Sequence, residues 1–370
     1  MSQLINTNSV PLARPGLPIP RRSFSWFFSS LFLVLSLSVA ASIPYKLRSS
    51  EQTPLHVHRL ARQLTTTSKQ NSQSDNLLQP WEMVGVGALE GPEDLAYDSR
   101  SRLIHTGCAD GWIKRVTVNK SAADSVIKNW VNTGGRPLGI AFGLHNEVLV
   151  ADTEKGLLNV SRRGKVEVLT NETKLIDSVV MAKNGMVYFT EASYKYGLHD
   201  FLLDITEGKP HGRLWSYNPA TKRTKVLLRN LYFANGLAVS PDQSSVIFCE
   251  TTKKRCRRYF IQGKKKGHAK KFVDLPGFPD NIQYEGSDSK GHYWIALAMT
   301  YGNSSTTAGV LVVDKQGNPV YQYFGLELSL ISTGIKIGNH LYCGSLVNPY
   351  MIRLNLQEHS EKQALSTCNN

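Results

Sequence analysis

Six stretches of this chain superimpose without gaps: PEDLAYD from Pro92, PLGIAFG from Pro137, IDSVVMA from Ile176, ANGLAVS from Ala234, PDNIQYE from Pro279 and STGIKIG from Ser332. Each has a loop ending in a small or polar residue, then an aliphatic residue, then alternation with period two, the pattern of a half-buried strand. In five of the six a second strand-like run follows within several residues: LIHTG, EVLVAD, MVYFTE, SVIFCE and HLYCGS. The units begin 39 to 58 residues apart, which is the length four short strands and their turns need. Turn signals such as Asp110-Gly111, Asn184-Gly185 and Gln316-Gly317 divide the runs, and no segment carries sustained helical periodicity. One such unit cannot bury both faces alone, so the six pack on one another around a ring. The fold expected is all-β, a six-bladed β-propeller over residues 80–360, with a short tail at 361–370.

In a propeller the first strand of each blade lines the central channel, so one repeat position per blade points at the axis. The second residue of each superimposed unit is Glu93, Leu138, Asp177, Asn235, Asp280 and Thr333. Asp and Asn are ordinary residues at turns that open strands. Here, however, four oxygen-bearing side chains from four repeats share one phase. Three anions brought together are costly unless a cation neutralises them or they take up protons. Their oxygens are hard donors, and no Cys or His stands at that position. The expected ligand is therefore one axial Ca²⁺ held by Glu93, Asp177, Asn235 and Asp280, with coordination left over for water or substrate. Such an ion is either catalytic or a pin that holds the blades together.

Ahead of the repeats, residues 24–43 read FSWFFSSLFLVLSLSVAASI, twenty uncharged positions, the length that spans a bilayer core. Arg14, Arg21 and Arg22 precede them, which keeps residues 1–23 cytoplasmic and sends the rest across. This segment is either a signal-anchor helix or a signal peptide cut after Ala41. Both place the repeats in the secretory pathway, as a lumenal domain of the endoplasmic reticulum membrane or the vacuole. Sequons at Asn119, Asn159, Asn171 and Asn303 agree with that topology. Residues 44–79, with TTTSKQNSQSD, read as a linker.

The net charge of +14 is diffuse. Ten bases fall between Lys253 and Lys271, which reads as a solvated outer-strand hairpin or as a basic face for an anionic lipid or polymer. Aromatic residues are sparse there, so a nucleic-acid groove is not expected. Cys249 and Cys256 flank ETTKKR. If the hairpin closes over Thr252 and Lys253 they face each other across strands and can form a disulfide; otherwise they stay thiols. There is no zinc-type Cys/His spacing, GxSxG, phosphate-binding loop or dinucleotide-binding fingerprint.

GPEDLAYD, GRPLGIAFG, LVADTEKGLL, DSVVMAKNGMVYFTEAS, ANGLAVSPD, LPGFPDNI and HLYCGSL together resemble the strictosidine synthase-like family of plants and its animal relative, adipocyte plasma membrane-associated protein, from about Trp81 to Leu356. More distantly the chain is similar to gluconolactonases, regucalcin and paraoxonases, six-bladed propellers that hydrolyse lactones, aryl esters or phosphotriesters around an axial Ca²⁺. Carried over by position, the metal ligands of those hydrolases fall on Glu93, Asp177, Asn235 and Asp280, with Asn281 added in some sites. The resemblance implies a membrane-anchored, monomeric Ca²⁺-dependent esterase or lactonase acting on a small molecule, with Asp280 accepting the proton of the attacking water. Two positions depart from the pattern. Thr333 stands where strictosidine synthases carry the catalytic glutamate of amine–aldehyde condensation, and Leu138 stands where paraoxonases carry a histidine. A true synthase and a non-catalytic binding propeller with a structural cation are the alternatives.

Overall fold

A computed structural model describes residues 81–286, 290–299, 308–326 and 328–357. The anchor segment at 24–43, the linker, Asn303 and the tail lie outside them. Among the described residues no helix is long and apolar enough to cross a membrane.

Six four-stranded antiparallel sheets surround one axis. Blade I comprises β2 (Leu95–Asp98), β3 (Leu103–Gly107), β4 (Trp112–Thr117) and β5 (Ile127–Asn132); blade II comprises β6 (Pro137–Phe142), β7 (Val148–Asp152), β8 (Gly156–Val160) and β9 (Val166–Thr170). Blade III holds β10 (Leu175–Met181), β11 (Val187–Ser193), β12 (Gly212–Asn218) and β13 (Arg223–Leu231), and blade IV holds β14 (Ala234–Val239), β15 (Ser245–Glu250), β16 (Arg255–Phe260) and β17 (Ala269–Asp274). Blade V is β18 (Phe278–Glu285), β19 (His292–Ala298), β20 (Ala308–Val313) and β21 (Pro319–Leu326). Blade VI has three consecutive strands, β22 (Ile331–Ile337), β23 (His340–Ser345) and β24 (Met351–Asn355), and takes its outer strand from the start of the domain, β1 (Trp81–Val84).

Burial explains the sequence texture. The second strands β7, β11, β15 and β19 are buried along their whole length, so each carries an apolar run such as VLVA or VIF, whereas outer strands such as β5 and β9 are mostly half-buried or exposed and mix polar with apolar residues. Six apolar clusters lie one between each pair of neighbouring blades, and a seventh, of Leu175, Ala192 and Phe233, packs against Leu198, Phe201 and Ile205. Between blades IV and V, for instance, Ile247 and Cys249 pack with Tyr293, Ile295 and Leu311. Each blade therefore buries its faces only if both neighbours are present. The β15–β16 hairpin closes over residues 251–254, Cys249 pairs with Cys256 in register, and their sulfurs are bonded. Cys108 and Cys343 are buried free thiols.

Among the described residues one α-helix interrupts the strands, α1 (Phe201–Glu207). Two turns are too short to leave a legible period, which is why the sequence gives no sign of it.

Closure rests on the pairing of β1 with β24. Arg353 of β24 is 2% exposed. It binds Glu82 of β1 and donates to the carbonyls of Asn119 and Lys120 in blade I, both at 2.9 Å. Removing it strands these acceptors at the seam. The Arg353→Ala variant is expected to lose about 2–4 kcal/mol in urea unfolding; an unchanged midpoint would show that the seam does not depend on this side chain.

Candidate functional site

The residues at the axis sit where the inner strands are irregular. Pairing skips two residues between Pro137 and Ile140, Ile176 and Val179, Ala234 and Leu237, and Pro279 and Ile282. A bulge frees those side chains from the alternation of the strand and re-aims them. Leu138, Asp177, Asn235 and Asp280 are each the first of the two skipped residues, and Glu93 occupies the equivalent place just ahead of β2, its N–H bonded to Gly107 O. Two bulge glycines permit the close approach. A Cβ on Gly139 would meet Asp177 O at 2.5 Å, and one on Gly236 would meet both Asp280 O and the Asn281 Cα at 2.5 Å.

Glu93, Asp177, Asn235 and Asp280 line a single axial cavity of about 30 Å³, the volume of one ion or a water molecule. Leu138 shares it, with an apolar collar that includes Leu175, Leu198, Phe201, Phe233 and Leu330. Phe233 and Leu330 have left-handed backbones, φ +54° and +47°, conformations held only where the surroundings impose them.

Thr333 is not among the lining residues. Blade VI skips only Ser332, so its phase differs by one residue. Ser332 donates to Glu93 O at 2.6 Å, and Thr333 Oγ1 donates to Asp94 Oδ1 at 3.0 Å. Asp94 went unnoticed at the sequence level. Its buried carboxylate also accepts from Leu95 N, Ile140 N and Gln283 Nε2 at 2.8–3.2 Å, which ties blades I, II, V and VI together beneath the cavity. The third position of the repeats reads Asp94 and Asn281, a signal present in the alignment.

Hydrogen bonds tie the axial residues to one another. Asn281 Nδ2 donates to Glu93 Oε1 at 2.8 Å, and Asn235 donates to Asp280. Each amide thus spends its N–H on a carboxylate. Glu93 Oε2, Asp177 Oδ1, Asn235 Oδ1 and Asn281 Oδ1 are buried with no hydrogen-bond partner. Native structures rarely leave such oxygens unpaired. Among the described residues no three Cys, His, Asp or Glu side chains are grouped as a metal site by themselves, so any cation here would also need the two amide oxygens.

Charge follows the same pattern. Burial, then the carboxylates of Asp280, Asp94 and Asp177, push the Glu93 carboxyl well above its usual range. Burial and the Asp94 carboxylate raise Asp177 to about 8, and burial with Asp177 raises Asp280. Arg136 is the cation that acts on Glu93, but its guanidinium is spent on the carbonyls of Gly91, Pro137 and Leu346.

Above the cavity, Leu198 and Phe201 belong to the segment 194–211 between β11 and β12. Its anchor is Asp204, which accepts from Ser193 Oγ at 2.5 Å and meets His211 Nδ1 at 2.9 Å. Serine and histidine contact the same carboxylate oxygen, so this is a fastening and not a nucleophile–base pair, which would need the histidine on the serine. Of the sequons, Asn171 is exposed, Asn119 Nδ2 is engaged by Thr117 and Asp124, and Asn159 lies within β8.

Comparison with known proteins bears on this site. The chain is 46% identical to protein strictosidine synthase-like 4 of Arabidopsis thaliana over 92% of its own length and 99% of that protein's. It is 48% identical to the Arabidopsis protein strictosidine synthase-like 7 over 90% and 97%. It belongs to the strictosidine synthase-like family. The family model described as strictosidine synthase matches residues 177–264, and the one described as strictosidine synthase-like, N-terminal, matches residues 73–116. Adipocyte plasma membrane-associated protein of Gallus gallus is 29% identical over 90% of this chain and 92% of its own. Among solved structures, a gluconolactonase of Xanthomonas campestris superimposes with a TM-score of 0.57 at 15% identity, over 74% of this chain and 88% of that one. Regucalcin, a calcium-binding protein from Agrobacterium tumefaciens, gives 0.55 at 14%, over 74% and 92%. At such identities the likeness extends to the fold alone.

A carboxyl whose native pKa lies above its unfolded value keeps a proton that the unfolded chain releases, so stability falls as pH rises between the two. For Asp177 that window runs from 3.8 to about 8. In chelator, the thermal midpoint is expected to drop as pH is raised from about 5 to 8, and added Ca²⁺ is expected to flatten the profile. A chelated protein whose midpoint rises over this range would contradict the electrostatics described here.

Proposed function

We propose that this strictosidine synthase-like propeller is a Ca²⁺-dependent hydrolase of the ester or lactone type, with the cation on the axis held by Glu93, Asp177, Asn235 and Asp280 and joined by the carbonyl oxygen of Asn281. One observation carries it: the side chains of Glu93, Asp177 and Asn235, from three blades, line one small cavity with Asp280 and each keeps a buried oxygen without a hydrogen-bond partner, as does Asn281, whose amide nitrogen is bonded to Glu93. Hard oxygens in irregular array suit Ca²⁺ better than softer metals. The names of the neighbouring folds, a gluconolactonase and a calcium-binding regucalcin, agree with the choice. When bound, the ion supplies Lewis acidity toward a carbonyl oxygen.

The chain's own residues supply the rest. Asp280 is half-buried at the cavity and oriented by the Asn235 amide, which places its carboxylate to take the proton of an attacking water. Its neighbours raise its basicity. The collar of Leu138, Leu175, Phe233 and Leu330 excludes bulk water and offers an apolar wall to the acyl or aryl part of a substrate. Amine–aldehyde condensation finds no acid or base at Thr333, whose hydroxyl is committed to Asp94. The same proposal sets the propeller in the lumen of the secretory pathway, behind the segment at 24–43.

The ion-sized cavity beneath Leu198 and Phe201 favours a second reading, a cation that only fastens the blades of a binding protein. Hydrolysis of an aryl acetate by the purified protein, abolished by chelator and restored by Ca²⁺, separates the two. Asn235→Ala is expected to lower both Ca²⁺ affinity and hydrolysis by at least about a hundredfold. Hydrolysis that survives this change or chelation removes the proposed site.

A further inference from the structure

Because each blade is an antiparallel meander whose first strand starts at the cavity, the turns after first and third strands lie at the opposite end of the ring. The chain enters the propeller at that far face. Trp81 pairs with Leu354, while Val84 pairs with Met351, and Met351 follows the connection whose Leu346 lines the cavity. The two ends of the ring differ in charge. The far-face turns SRSR (99–102), SRRGK (161–165) and QGKKKGH (262–268) expose every one of their lysines and arginines, and Lys120, Lys183 and Lys222 are exposed in other turns of the same face. Carboxylates there are fewer. Asp98, Glu147, Asp242 and Asp314 are hydrogen-bonded within their own turns, and Asp124 is exposed in the β4–β5 turn. The connections at the cavity end mix signs, with Glu90, Asp110, Glu154 and Glu172 among Lys155 and Lys174.

The basic run between Lys253 and Lys271 divides accordingly. Arg255 and Arg257 are held by Glu250, and Arg258 donates to Lys315 O. Lys264, Lys265 and Lys266 form the β16–β17 turn at the far face, whereas Lys253 and Lys254 lie in the β15–β16 turn at the cavity end, over the rings of Tyr232 and Phe278. The sequence leading into Trp81 carries Lys46, Arg48, Arg59, Arg62 and Lys69 against Glu51 and Asp75, and begins where the uncharged stretch 24–43 ends.

We propose that the far face of the propeller docks on an anionic lipid surface, so that the axial cavity opens away from the bilayer. Charge complementarity and the entry of the chain at the same face both select a membrane as the occupant. Only charges within a Debye length of the surface, about 10 Å at 0.1 M salt, contribute, and a flat ring end presents many turns at that distance together.

The test uses the full chain in vesicles of phosphatidylcholine alone and of phosphatidylcholine with an equal part of phosphatidylserine, with lysine acylation read by mass spectrometry. Lys165, Lys222 and Lys264–Lys266 are expected to be protected in the anionic vesicles and released by high salt, while Lys155 and Lys174 react equally in both. The triple variant K264E/K265E/K266E is expected to shift Lys165 and Lys222 about a hundredfold from docked to free. Equal reactivity of the far-face lysines in the two vesicles, or protection at the cavity end instead, overturns the proposal. So does protection by heparin where phosphatidylserine gives none, which would assign the face to a soluble polyanion.

Discussion

Four carboxylates, Glu93, Asp94, Asp177 and Asp280, share the propeller axis, and the guanidinium that acts on Glu93 bonds none of them. Buried charge of one sign is tolerated only if protons or a cation neutralise it. The protein treats the four in two ways. Asp94 is fully hydrogen-bonded by donors from four blades, although burial still raises it to about 6. Glu93 and Asp177, a layer above, each keep an oxygen without a donor. A fold that merely needed polar filler at its axis would satisfy both layers. The contrast assigns the lower carboxylate to holding blades together and leaves the upper set with oxygens free for the cation of the proposed function.

The ring converts a small local irregularity into this concentration of charge. A skipped pair in one inner strand re-aims one side chain by a few ångströms. The same irregularity at one phase of neighbouring blades aims several at a common point. Gly139 and Gly236 let the adjoining strands come close enough for that point to be shared, because any Cβ there would collide with backbone of the next blade. The inter-blade apolar clusters supply the rigidity, since no blade can tilt without opening two interfaces.

The repeats made the propeller and four of its axial residues legible, because both follow from a periodicity of residue types along the chain. The seam was less so: β1 looks like any short strand, and its pairing with β24 is a consequence of ring closure that no local pattern records. An ungapped superposition puts Thr333 with the axial set, whereas blade VI skips one residue where blades II to V skip two, a difference invisible without coordinates. Asp94 and Asn281 were legible in principle, at the next repeat position. What could not be read is which amide nitrogen faces which carboxylate, and that choice is what leaves the carbonyl oxygens of Asn235 and Asn281 open.

Access to the cavity is the one feature that ring symmetry does not generate. Among the described residues, blade III alone sets an α-helix between its second and third strands, and this segment, residues 194–211, brings Leu198 and Phe201 over the axis. Its hold on the ring is concentrated in Asp204, buried at 1% exposure and shared by Ser193 and His211, with Glu207 bound by Lys195 and Tyr196 at the surface. The exposed pair is weak, so the buried carboxylate sets the position of the cap. Access to the axial cavity is therefore set by an insertion that can vary without disturbing the axial residues, which is how one propeller frame can present the same axial side chains to chemically different molecules.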